Sequence, residues 1–196
     1  MKTAAMFTFA GTVSFVVTSM SMAGVIWDEA IDGTLSTDVL HPTNLGTLAA
    51  GGNEMTGAST DGLSKYFTIT IGEGTKWTGL VLDDWESADD YGFLAVLEGD
   101  WFHGDTSTPD VSELLGYVDF GSAQVGEDLL AIIGDTPGAQ GFTDWVGPGT
   151  YSFWMPQPGP PAIWGLDFVV ESTTVVPGAG GLLGLAGMGL ARRRRR

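Results

Sequence analysis

Lys65-Tyr66-Phe67-Thr68-Ile69-Thr70-Ile71 is the stretch that decides the fold class. It is β-branched and aromatic, and Phe67, Ile69 and Ile71 fall on every second position. That period puts them on one buried face of a strand, with Thr68 and Thr70 on the other. Gly72-Glu73-Gly74-Thr75 turns the chain, and Lys76-Trp77-Thr78-Gly79-Leu80-Val81-Leu82 makes the next strand. Asp83 to Asp90 reads as an acidic loop. Tyr91 to Leu97 follows as a strand, then a loop from Glu98 to Ser112. Further strands run from Leu115 to Phe120, from Gly149 to Met155 and from Ala162 to Val170. Upstream, Leu45 to Ala49 and Glu54 to Ser59 are strands, joined through the hairpin signal Gly51-Gly52-Asn53. Gly126 to Ile133 is the one helical candidate, its apolar face formed by Leu129, Ile132 and Ile133. About eight short strands at regular spacing predict an all-β chain, an antiparallel β-sandwich of jelly-roll type.

Composition agrees. Gly is abundant at 30 of 196 residues and charged residues are few at 16%, which suits turn-rich β structure. The net charge of −16 hides an asymmetry. Five of the eight basic residues are Arg192 to Arg196, and another is Lys2. Between the ends only Lys65 and Lys76 face all 24 acidic residues, a net −22. Such a domain repels nucleic acid and anionic lipid, so neither is expected as its partner. The chain has no cysteine, which excludes disulfides, thiolate metal sites and cysteine nucleophiles.

The two ends read as targeting segments. Residues 1–23 have the form of a secretory signal peptide: Lys2, an apolar and small-residue stretch from Ala4 to Val17, then Ser21-Met22-Ala23. Signal peptidase cleavage between Ala23 and Gly24 would start the mature chain at Gly24-Val25-Ile26-Trp27; the other reading is an uncleaved anchor. At the far end, Val175 to Ala191 is an uncharged run of 17 residues with six glycines. As a helix it spans ~26 Å, short of the ~30 Å hydrocarbon core. Arg192, Arg193, Arg194, Arg195 and Arg196 would stay cytoplasmic, leaving the acidic domain outside.

This tail resembles the C-terminal sorting signal of bacterial PEP-CTERM proteins. The resemblance covers Val176 to Arg196 and rests on a short proline motif, Val176-Pro177-Gly178-Ala179, a glycine-rich apolar helix and the arginine cluster. Many members read Val-Pro-Glu-Pro, so Gly178 and Ala179 mark a variant motif. The resemblance implies an exosortase-type membrane enzyme as partner, and delivery to the cell surface or the extracellular matrix. The helix would sit in the inner membrane at least until processing. A stop-transfer anchor is the other reading of this segment. The middle, over residues 60 to 100, resembles pre-peptidase C-terminal-like domains of secreted bacterial proteins. That implies a non-catalytic accessory or adhesion domain.

Three constellations carry chemistry. Asp83, Asp84, Glu86, Asp89 and Asp90 crowd five carboxylates into eight residues. They are either calcium ligands or a solvated acidic loop. Asp28, Glu29, Asp32 and Asp38 form a second acidic group of the same kind. Trp85, Tyr91 and Trp101, with His103 nearby, border loops and are candidates for stacking on sugar rings, which makes extracellular polysaccharide a candidate partner. Trp77, Trp154 and Trp164 lie in strand patterns and are expected in the core. Catalytic motifs are missing from the sequence: the two histidines, His41 and His103, are isolated, and there is no nucleophile elbow or paired-histidine zinc motif. The reading is an exported structural or interaction protein that needs no cofactor. A calcium- or carbohydrate-binding module is the alternative, and a secreted hydrolase the third.

Overall fold

The structure, a computed structural model, describes residues 24–103, 106 and 109–173. The predicted signal peptide and sorting tail, including Ala23, Val176, Pro177, Gly178, Ala179 and Arg192 to Arg196, lie outside the described residues. Among the described residues no helix is long and apolar enough to cross a membrane.

The chain folds into two packed mixed sheets. One holds four strands in the order β1 (Gly24–Asp28), β3 (Asn53–Ser59), β9 (Ala162–Ser172), β5 (Thr75–Ser87). The other holds five, in the order β2 (Thr43–Thr47), β4 (Leu63–Ile71), β8 (Gly149–Gln157), β6 (Gly92–Glu98), β7 (Gly116–Phe120). The expected antiparallel pairing needs a correction: β1 pairs β3 and β2 pairs β4 in parallel. The remaining ladders are antiparallel. Local patterning fixes which face of a strand is buried, but not the direction of a partner reached through a long connection.

Consecutive strands mostly switch sheets. The turn at Gly72 carries the chain from β4 to β5, and the Gly51 turn carries it from β2 to β3. Gly51-Gly52-Asn53 is therefore a corner between sheets rather than a hairpin. Asn53 organises it. Its Nδ2 donates to the carbonyls of Ala49, Gly51 and Phe168, and its Oδ1 accepts from Ala49 N.

The core lies between the sheets. Phe67 and Phe153, directly paired on β4 and β8, stack with centroids 4.6 Å apart, and Phe168 and Trp77 close edge-on or tilted over them. Phe67, Ile69 and Ile71 are buried as their alternation requires, and so are Trp77, Trp154 and Trp164. A second, smaller cluster sits on the outer face of the five-stranded sheet, where Tyr66 and Trp154 pack with Phe102 and Leu114 from the β6–β7 connection. That cover explains why Thr68, expected on a solvated face, is buried.

The helical candidate is a helix, α2 (Leu129–Gly134), here numbered after a one-turn helix α1 (Glu29–Asp32). It buries Leu129, Leu130 and Ile133 and leaves Ile132 exposed, so its apolar face includes Leu130 in place of Ile132. Asp128 caps it, its Oδ1 accepting from Leu130 N and also from Leu80 N on β5.

Candidate functional site

Lys65 lies on the inward parity of β4, two residues before Phe67, where an ammonium would otherwise face the core. Its side chain is only 2% exposed, and its Nζ donates to Glu29 Oε1 at 2.8 Å. A buried charge survives only when paired. α1 supplies the pair by placing Glu29 over β3. The carboxylate is held on both oxygens: Leu35 N donates to Oε1 at 2.7 Å and Ala58 N to Oε2 at 2.9 Å. Gly57 makes room, since a Cβ there would stand 2.8 Å from the Glu29 carboxyl carbon and 2.5 Å from the Trp164 ring.

The pair forms the floor of a recess of about 520 Å³. Asp28 and Asp84 bring further carboxylates to its rim, and Ala58 and Ile163 supply an exposed apolar wall. Asp28 already caps α1, its Oδ1 accepting from Ala30 N. Asp84 is exposed, and its carboxylate enters no hydrogen bond with the described residues. The arrangement can therefore offer an ammonium, carboxylate oxygens and an apolar surface to one small molecule.

The five candidate calcium ligands do not share one place. Asp83, Asp84 and Glu86 belong to β5, so the acidic segment is strand as far as Ser87 and only then turns. This corrects the expected loop. Asp83 faces Asp167 and Glu54; burial, then those two charges, raises its pKa. Asp89 accepts from Ser87 Oγ and Tyr91 N, and Asp90 accepts from Ser122 N and Oγ. The N-terminal acids are likewise engaged locally: Asp32 accepts from Asp28 N, and hydrogen bonds from His41 and from Leu40 N hold Asp38 below its usual range. Among the described residues no three His, Asp or Glu side chains gather in a geometry that could hold a metal ion.

The aromatic candidates also separate. Trp85 is 5% exposed and packs edge-on against Phe120 at 4.9 Å, so its ring face is closed to a sugar. A bulge between Leu82 and Asp84 adds a residue to β5 and swings Trp85 into the core. Tyr91 and Trp101 are partly exposed, as is Trp145, which the sequence reading passed over. Tyr91 Oη donates to Asp119 at 2.9 Å. Burial, that hydrogen bond and the Asp119 charge push its pKa up to about 12. Trp101 lies edge-on to His103.

Sequence reasoning placed Glu29 among N-terminal acids and Lys65 at the start of a strand, and did not join them. Its one available signal was Lys65 in the alternation of Phe67, Ile69 and Ile71. Comparison with family models, curated proteins and solved structures returns no match.

Proposed function

We propose that this chain is exported and delivered by its C-terminal signal to the cell surface or the extracellular matrix, where the sandwich serves as a structural or interaction module. The observation that carries the reading is the partition of charge: basic residues cluster at the two ends, around a domain with two lysines against 24 carboxylates. That is the pattern of a translocated domain with a cytoplasmic stop.

The finer architecture belongs to the same reading. β4–β8–β6–β7 supplies one four-stranded half of a jelly roll, and β3–β9–β5 supplies three strands of the other. The segment at Val146, which bridges Trp77 of β5, takes the place of the fourth. β1 and β2 then extend the outer edges in parallel.

Removing Arg192 to Arg196 and fractionating the cells tests the proposal. Loss of the protein from the surface fraction supports it; unchanged delivery and retention contradict it.

A further inference from the structure

We infer that the recess over Glu29 and Lys65 binds a neutral, hydroxyl-rich ligand, of the size of one or two pyranose rings of a saccharide. Three observations lead there. First, the buried ammonium is under-used. It carries three N–H groups, and among the described residues it has the single acceptor Glu29 Oε1. Donors this buried are costly to leave unmet, so the floor favours an oxygen placed above it.

Second, the charges exclude the simpler occupants. Asp28, Glu29 and Asp84 outnumber Lys65 around the recess, so an anion meets net repulsion. A metal cation meets the Lys65 ammonium at the floor, with both Glu29 oxygens already engaged by Leu35 N, Ala58 N and Lys65. A hydroxyl suits both groups, since it accepts from the ammonium and donates to a carboxylate. The exposed carboxylate of Asp84, without a hydrogen bond to the described residues, is the acceptor placed for this at the rim.

Third, the space and lining match. About 520 Å³ falls in the range of small-molecule sites, and the exposed, directly paired Ala58 and Ile163 give the C–H face of a sugar ring an apolar contact. Ile163, near the start of β9, is 50% exposed, so this apolar surface is available. The inference is independent of how the protein is delivered, and it concerns a different place from Tyr91 and Trp101.

The test is titration calorimetry on the full chain in dodecylphosphocholine micelles. Glucose, galactose, mannose and N-acetylglucosamine are the probes, with glycine and calcium chloride as separate arms. The expected result is binding of at least one neutral sugar that Asp84→Ala weakens by about tenfold, the effect of losing a hydrogen bond to a charged group. Ala30→Trp, an exposed residue at the mouth, should abolish it with the circular dichroism spectrum unchanged. Binding of no sugar, binding that Asp84→Ala leaves unchanged, or binding of glycine or calcium alone would overturn the inference.

Discussion

Lys65 Nζ lies 2.8 Å from Glu29 Oε1, and the two side chains are 2% and 10% exposed. The pair ties α1 to β4 of the five-stranded sheet, while Ala58 N ties the same Glu29 carboxylate to β3 of the other. Lys65→Met should cost about 3–5 kcal/mol, because it strands a carboxylate in the interior. Lys65→Met combined with Glu29→Gln should recover part of that loss, since the amide oxygen can still accept one backbone hydrogen bond. Urea unfolding of the single and double variants measures both. Equal midpoints for Lys65→Met and the parent would show that the pair contributes nothing.

Asp128 joins two elements through one oxygen, capping α2 at Leu130 N and accepting from Leu80 N on β5. Asp128→Ala should cost about 1–2 kcal/mol, and Asp128→Asn much less, because an amide oxygen still caps. Thermal unfolding of the two variants separates the lost cap from any loss of charge.

Gly116 is closed to any side chain. A Cβ on it would stand 2.0 Å from the carbonyl oxygen of Ile133, a backbone atom that cannot rotate away. Gly116→Ala should therefore push α2 off β7 and cost about 1–3 kcal/mol. The amide hydrogens of Ile133 and Gly134 should lose exchange protection before those of β4 and β8.

Tyr91 should titrate late. Its pKa, pushed up to about 12 first by burial and then by Asp119, lies above the value of about 10 for an unfolded tyrosine. A raised folded pKa means that the associated stability is complete below pH 10 and is lost as pH rises toward 12. Phenolate absorbance should show a component near pH 12 that Tyr91→Phe removes. A full set of tyrosines titrating near pH 10 would contradict the hydrogen bond from Tyr91 to Asp119.

The strands were legible because alternation survives wherever one face is buried. Phe67, Ile69 and Ile71 on β4 announce the core side without reference to any other residue. Asp83 to Ser87 misled for a physical reason. Acidic residues rarely favour strands, but here they point outward along the far end of β5 while the bulge turns Trp85 inward. Tertiary packing thus overrides local propensity. The same holds for Lys65 and Glu29, 36 residues apart. Neither carries a local mark of the other, and only the fold brings them together.

The most direct test of the central claim is the intact mass of the protein recovered from each cell fraction. The account predicts a surface or extracellular species that begins at Gly24 and has lost Arg192 to Arg196. A cytoplasmic chain still running from Met1 to Arg196 would contradict it.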